Sequence, residues 1–181
     1  DGNAQDFHIG LDDSTDSLTI GLGSTLGTTS HMVIDANGHI TKPLQPAFQV
    51  KPASLQLNLT VGSGNTIAFG SEIFDQNGDF ASNTFTAPVT GRYQLQTHIF
   101  LTNIDSASTQ IEIKINTSNR GYQLKIEPDH AFNSDGNHSY MLSCLADMDA
   151  SDTATVVITP TGGHTDVDVH TNSDFSGYLV C

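Results

Sequence analysis

The chain has 181 residues, which is enough for one full domain and a short appendage. It carries 6 Lys and Arg against 20 Asp and Glu, a formal net charge of −14, and this excludes nucleic acid as a direct partner because phosphate binding needs clustered basic side chains. No apolar run approaches the roughly 20 residues that span a bilayer, so no membrane insertion is expected. The chain begins at Asp1 without a signal peptide, which suggests a processed or trimmed piece of a longer protein.

Residues 1–46 contain two predicted β-hairpins. Residues 7–11 and 18–22 alternate apolar and polar side chains on either side of the acidic turn 12–16, which predicts a pair of strands. Residues 32–40 predict a second hairpin, in which Asn37 and Gly38 supply the positive φ angles of a tight turn. Two hairpins cannot bury a core by themselves in water. This segment therefore needs to pack on copies of itself, on a neighbouring domain or on a larger particle.

Prolines mark the boundary between this segment and the rest of the chain. Pro43, Pro46 and Pro52 predict an extended linker that cannot join the interior of a sheet. Residues 47–181 then predict many short strands separated by turn signals, and few windows favour helix. The strands are predicted at Ala47–Gln49, Leu55–Leu59, Asn65–Phe69, Ala81–Phe85, Gly91–Leu101, Ser108–Asn116, Gln123–Ile126, His138–Cys144, Thr153–Pro160, Asp166–His170 and Ser176–Val180. This pattern indicates an all-β antiparallel sandwich or jelly roll.

A series of aromatic, acidic and glycine residues carries a family resemblance. Its members, which we expect in the core or its turns, are Phe69, Asp75, Phe80, Phe85, Gly91, Tyr93, Phe175, Gly177 and Tyr178. Their spacing resembles the globular head domain of the complement q subcomponent, a ten-strand jelly roll shared with tumour-necrosis-factor ligands. The resemblance implies a homotrimer of identical chains that binds partners and is not an enzyme. The Phe80–Phe85 interval is two residues shorter than the family's, and Leu95 and Thr97 replace aromatics, so packing after the turn must differ.

The N-terminal segment carries a second resemblance. Its glycine-containing hairpins, and Ile34 to Ile40 leading through Pro43 and Pro46 into Phe48, are similar to the shafts and junctions of bacteriophage fibres, especially marine ones. The Gly-X-Y period of collagen is absent. The resemblance implies a virion fibre protein whose trimeric head binds a host surface glycan or outer-membrane protein, while residues 1–46 contact other virion proteins. A capsid-attached fibre or decoration protein, and a secreted complement-like lectin, are the alternatives.

No catalytic motif accompanies these features. Neither Gly-x-Ser-x-Gly nor His-Glu-x-x-His occurs, and the acidic residues are scattered over predicted turns. A depolymerase acting on host sugars is the enzyme alternative, and it is disfavoured because such activity normally needs a much larger β-helix. A function in binding is therefore expected.

Two groups of residues offer metal ligands, although no cofactor is expected. Alternation places His164, Asp166, Asp168 and His170 on one strand face, but neighbours there lie roughly 6.6–7 Å apart, so a shared ion would need a second strand or a trimer axis. A solvent-facing polar stripe is favoured. The second group, Asp147, Asp149 and Asp152, could hold calcium through its oxygen atoms. A structural turn is favoured there, and calcium or another divalent ion stays an open alternative.

The segment 129–140 is the predicted recognition loop, because it is long and polar. Its candidate contact residues are Asp129, His130, Phe132, Asn133 and His138. Aromatic rings in such a loop can stack on sugars or join the core. The two cysteines, Cys144 and Cys181, do not make a disulfide framework and are expected to be free thiols.

Overall fold

The structure is a computed structural model that describes residues 6–181. Its contacts divide the chain into two compact units, Asp1–Gln45 and Pro46–Cys181. We call the first the N-terminal unit and the second the head. Within the described residues, no helix is both long and apolar enough to cross a membrane.

The N-terminal unit is a four-stranded antiparallel sheet in the order β1-β2-β3-β4. Its strands are β1 Phe7–Asp12, β2 Ser17–Leu22, β3 Ser30–Ile34 and β4 Ile40–Thr41. Both predicted hairpins are confirmed, because β1 pairs with β2 and β3 pairs with β4. Turn chemistry explains them, because Asp12 Oδ1 accepts hydrogen bonds from the amide and hydroxyl of Ser14. Of the two residues predicted to supply positive φ in the second turn, Gly38 does so, with a φ of +85°, and Asn37 does not.

The head is a sandwich of two antiparallel sheets. The front sheet has the order β13-β10-β16-β5-β7 with β15 beside β10, and the back sheet has the order β12-β11-β14-β9-β8 with β6 beside β14. The strands are β5 Ala47–Lys51, β6 Asn65–Thr66, β7 Ser71–Asp75, β8 Phe80–Ala81, β9 Thr84–Thr86, β10 Gly91–Ile104, β11 Gln110–Thr117, β12 Gly121–Ile126, β13 Gly136–Met148, β14 Thr153–Thr161, β15 Asp168–Val169 and β16 Asp174–Leu179. One short helix, α1 Pro128–Ala131, lies between β12 and β13.

The core lies between the two sheets and follows from alternation along the strands. In β10 the side chains of Tyr93, Leu95 and Ile99 are buried, while their neighbours face outwards. Five phenylalanines join the core at one level: Phe48, Phe69, Phe80, Phe85 and Phe175. Phe48 stacks on Phe85 with ring centroids 4.7 Å apart and on Phe80 at 5.3 Å, and it meets Phe175 edge-on at 5.1 Å. The predicted all-β sandwich is confirmed.

Several predicted strands are wrong in their bounds. Residues 55–59 form a single bridge, Gln56 to Val169, because Asn58 takes a φ of 56° that ends an extended strand. The prediction for 65–69 shortens to Asn65–Thr66, and β7, which was not predicted, follows it. The predicted strand Asp166–His170 shortens to Asp168–Val169, and the recognition loop contains the unpredicted helix α1.

Candidate functional site

Three residues of the aromatic–glycine series have clear local roles. The carboxylate of Asp75 accepts hydrogen bonds from the backbone amides of Asp79 and Phe80, at 3.1 and 2.9 Å, which closes the loop after β7. A side chain at Gly91 would place its Cβ 2.6 Å from the carbonyl oxygen of Cys181, so only glycine fits there. The buried Tyr93 donates its hydroxyl hydrogen to the carbonyl oxygen of Val89 at 2.7 Å. These roles are structural.

The C-terminal part of the series is divided between the two faces of β16. Phe175 is fully buried, and Gly177 lies against Leu95 and Phe48. Tyr178 is 52% exposed, which corrects its placement in the core. Alternation explains the difference, because Tyr178 follows a buried residue and therefore faces the opposite side of the sheet.

The outer face of the front sheet, which we call the outer face, presents large apolar side chains to solvent. The exposed fractions are 61% for Met141, 56% for Leu145, 52% for Tyr178 and 48% for Phe74. Registers align two rows of side chains across this face: Leu145, Gln94, Tyr178 and Ala47 in one, and Ser143, Gln96, Ser176, Gln49 and Phe74 in the other. Neither row contains an acidic or basic side chain.

A shallow depression of about 380 Å³ lies in this face between β10, β16, β5 and β7. Tyr178, Phe74 and Gln94 are among the residues that line it. Charged groups flank the rows rather than enter them. Arg92 pairs in register with Asp147 on one side, and His98 lies 3.8 Å from Asp174 on the other. Burial raises the pKa of Asp174, against the attraction of His98.

Three loops meet beside the ends of β10, β12 and β14, and we call this region the loop end. His164 Nε2 lies 3.8 Å from Asp105 Oδ2 and 3.7 Å from Asp135 Oδ2. The amide of His164 donates to Asp105 at 2.6 Å, and Ser106 donates its amide and hydroxyl hydrogens to Asp135 at 2.8 Å. These bonds from Ser106, with His164 adding to them, hold the pKa of Asp135 below its ordinary value.

Asp105, Asp135 and His164 are also the one group in residues 6–181 whose three potential ligand atoms lie within 4.8 Å of one another. Imidazole nitrogen and carboxylate oxygen suit zinc and similar ions, whereas calcium prefers oxygen ligands only. The same arrangement also makes an ion pair when His164 is protonated. Sequence reasoning selected His164 but missed Asp105 and Asp135, because 59 residues separate Asp105 from His164. No local spacing signals their approach.

The structure does not bring the predicted group His164, Asp166, Asp168 and His170 together. His164 and Asp166 lie in the loop before β15, with Nδ1 and Oδ2 3.9 Å apart. Asp168 is buried and accepts hydrogen bonds from the amide of Asn58 and the side chain of Asn103. His170 packs on Phe100 with ring centroids 4.9 Å apart. The expected single strand face is therefore wrong, since the strand covers Asp168–Val169 only.

The acidic turn after β13 is held by hydrogen-bond donors. Asp147 Oδ2 lies 2.7 Å from an Arg120 guanidinium nitrogen. Asp152 Oδ2 accepts from the Asn119 side chain and from the amide of Asp149, each at 2.8 Å. These contacts give the carboxylates of Asp147 and Asp152 a role in closing the turn.

The predicted recognition loop is partly ordered by its own rings. Phe132 stacks on His138 with centroids 3.8 Å apart and an interplanar angle of 10°. His130 lies 3.4 Å from Asp129, and both are exposed, as is Asn133. Residues 131–138 line an open depression of about 390 Å³. The loop adjoins the loop end through Asp135, so the two form one surface.

Comparison with solved structures supports the fold, whereas comparison of sequences finds no match. No family model matches the chain, and no curated protein sequence matches it. Among solved structures, it is similar to the globular domain of zebrafish complement 1qA protein, with 19% identity over 76% of this chain and 98% of that one and a TM-score of 0.53. It is also similar to murine APRIL, with 8% identity over 75% of this chain and 99% of that one and a TM-score of 0.56. The head therefore has the jelly-roll fold of complement-type and tumour-necrosis-factor-like domains.

Proposed function

We propose that this chain forms a homotrimer through the outer face, and that the trimer binds an external partner through the loop end. The observation that carries the proposal is the composition of the two rows across the outer face. A chain with 20 acidic residues and a net charge of −14 keeps both rows free of charge. Copies of such a face can meet without like-charge contacts, which elsewhere on this surface would cost several kcal/mol.

The exposed apolar side chains give the association its driving force. Met141, Leu145, Tyr178 and Phe74 are each about half exposed or more in one chain. Large apolar side chains gathered on one face mark interaction surfaces rather than ordinary solvent-facing surface. The glutamines and serines between them supply hydrogen-bonding groups, as in the contact between Gln94 and Ser143 at 2.6 Å. The face thus combines apolar anchors with neutral polar groups.

The loop end is the part of the head that we assign to ligand binding. It combines the carboxylates and imidazole of Asp105, Asp135 and His164 with the stacked rings of Phe132 and His138. Hydroxyl-rich sugars bind through carboxylate acceptors and aromatic rings, so a surface glycan is the ligand class we propose. Three copies on one trimer would provide avidity from weak single contacts.

We further propose that the trimer is a fibre component of a bacteriophage particle. The hairpins of residues 6–45 and the proline-containing sequence that joins them to the head support this proposal. A capsid-attached fibre would have the same N-terminal hairpins and trimeric head, so the proposal covers attachment to the tail and to the capsid alike. Mass spectrometry of purified particles tests the virion assignment, and it fails if particles from the producing host lack this chain.

The association is tested with one acidic substitution on the outer face and a matched control. Leu145→Glu places three carboxylates in the proposed interface, whereas Val89→Glu makes a similar change in the turn before β10, where the side chain is 44% exposed. We expect sedimentation equilibrium to give three times the chain mass of 19.3 kDa for the unsubstituted chain and for Val89→Glu. Leu145→Glu should raise the concentration of half-dissociation at least about 100-fold. A monomeric unsubstituted chain, or an undisturbed Leu145→Glu trimer, refutes the proposal.

Ligand binding is tested on an array of bacterial surface glycans. Phe132→Ala removes one of the stacked rings, and Val89→Ala, which removes an exposed apolar group outside both the outer face and the loop end, is the control. Loss of the glycan signal for Phe132→Ala in a chain that still forms trimers supports the assignment. An unchanged signal, or no glycan signal for the unsubstituted trimer, contradicts it.

A further inference from the structure

The N-terminal unit exposes the apolar side of its sheet and covers the polar side. Cross-strand pairs place nine apolar side chains on one face: Phe7, Ile9, Leu11, Leu18, Ile20, Leu22, Met32, Ile34 and Ile40. We call this the apolar face. Phe7, Ile9, Leu11 and Ile40 are 69%, 73%, 72% and 59% exposed. A sheet in water normally shows the reverse arrangement.

The opposite face of the same sheet is the covered one. Ser17 and Thr19 are only 5% and 2% exposed. The loop between β2 and β3 lies over them, as Leu26 shows: its methyl groups lie 3.0 and 3.1 Å from the position that a Cβ on Gly10 would occupy. Residues of this loop, together with Pro43 and Leu44, line an open depression of about 630 Å³ on that side. The segments that cover this sheet therefore lie over its polar face.

We propose that the apolar face packs against the same face of two other copies of this chain, so that three sheets enclose a common apolar core. The number of copies rests on the proposed function, whereas the need for a covering partner rests on the sheet itself. Once the head is trimeric, the direct link from Gln45 to Pro46 holds three N-terminal units at high effective concentration.

We favour copies of this chain over a different protein as the partner of the apolar face, because the face has no charged side chain that a different protein could recognise. The nine side chains are all uncharged, and Asp12 and Asp35 line the depression on the opposite side of the sheet. With about 150–200 Å² for a fully exposed large side chain, the face offers on the order of 700 Å² per copy. A standard interface buries about 800 Å² per partner, so the two are comparable.

The width of the sheet also suits a three-sided core. Four strands at about 4.8 Å spacing make a face roughly 14–19 Å wide. The centre of an equilateral triangle with that side lies roughly 4–5.5 Å from each face. Packed sheets are about 10 Å apart, so each side chain layer fills roughly 5 Å. Three such sheets can therefore enclose their nine-residue faces without leaving a channel.

The proposal is tested by disulfide cross-linking in the full-length chain with Cys144→Ser and Cys181→Ser. Ile20→Cys puts a thiol near the middle of the apolar face, because β2 is an inner strand and Ile20 lies between Ile9 and Met32, whereas Asp13→Cys puts one in the exposed turn between β1 and β2. We expect oxidation of Ile20→Cys to give a covalent dimer from up to about two chains in three, unchanged by dilution, since three central thiols form one bond. Asp13→Cys should give much less. Equal cross-linking of the two, or none from Ile20→Cys, overturns the proposal.

Hydrogen exchange supplies a second measurement on the same chain. Ile9→Lys should be nearly neutral in an uncovered sheet, because the side chain is 73% exposed. If copies cover it, exchange in residues 7–22 should accelerate at least about 10-fold, with head peptides unchanged. The two proposals fail separately. A monomeric unsubstituted chain refutes the trimeric head, whereas a trimer that neither cross-links at residue 20 nor responds to Ile9→Lys refutes the three-sheet core.

Discussion

Replacing Gly177 by alanine should destabilise the head, because the added methyl group has no room in the core. Its Cβ would lie 2.6 Å from Leu95 Cδ2, 2.8 Å from Phe48 Cε1 and 3.1 Å from the carbonyl oxygen of Gln94. Leu95 and Phe48 are at most 1% exposed, so neither can turn towards solvent. The Gln94 carbonyl belongs to β10, which pairs with β16 on this side. The strain must therefore be absorbed inside the sandwich.

The size of the effect follows from the cost of overpacking. Inserting a methyl group into a packed core costs about 1–3 kcal/mol. For a protein of this size that is a decrease in Tm of roughly 3–10 °C. Leu95→Ala removes the nearest atom and by itself should cost about 2–5 kcal/mol. Because it also frees space for the methyl group, the double variant should be more stable than the sum predicts by about 0.5–3 kcal/mol.

The assay is urea unfolding followed by circular dichroism at one fixed protein concentration, since association makes apparent stability depend on concentration. Gly136→Ala is the matched control, because it is the same chemical change in β13, where the nearest atom is His138 Nε2 at 3.4 Å. Both variants lower the entropy of the unfolded chain equally. If Gly177→Ala is as stable as Gly136→Ala, or if its effect adds fully to that of Leu95→Ala, the packing argument is wrong.

Two further predictions concern titratable groups. Burial raises the pKa of the Cys144 thiol to about 11, so only about one molecule in a thousand is thiolate at pH 8. Iodoacetamide should therefore label the exposed Cys181 first and Cys144 only after unfolding. Equal labelling rates of the two cysteines in the folded chain, measured by peptide mass spectrometry, would contradict this. Burial also raises the pKa of Asp174, so its contribution to stability is full below the ordinary value of 3.8 and is lost as the pH rises through the raised value. Asp174→Asn should therefore raise Tm relative to the unsubstituted chain at pH 7 and lose that advantage near pH 3, whereas a constant difference across this range in differential scanning fluorimetry would exclude the mechanism.

Local chemistry made the hairpins and the sandwich predictable. The turn at Asn37 and Gly38 needs positive φ, which Gly38 supplies, and Asp35 completes it by accepting from the amides of Asn37 and His39. Alternation along β10 likewise predicts which side chains enter the core, because successive residues of a strand face opposite sides. These signals lie within a few residues of one another, so the sequence displays them directly.

The error over residues 55–59 involves a contact distant in sequence, which the local pattern did not display. Residues 55–59 read as an apolar strand, yet Asn58 turns the backbone with a φ of 56° and gives its amide to Asp168. That contact joins residues 110 positions apart. Asp168 is consequently buried as a hydrogen-bond acceptor, and it cannot share a solvent-facing stripe with Asp166.

Neighbouring residues and composition were enough to predict the strand periodicity, the hairpins, the aromatic core and an acidic surface. The approach of Asp105, Asp135 and His164 at the loop end could not be predicted in this way, since they come from three separate loops that the fold brings together. The fold also determines which apolar residues stay uncovered. Leu145 and Ile9 alternate along their strands as core residues do, and whether such a residue is core or interface depends on what the rest of the chain places against that face.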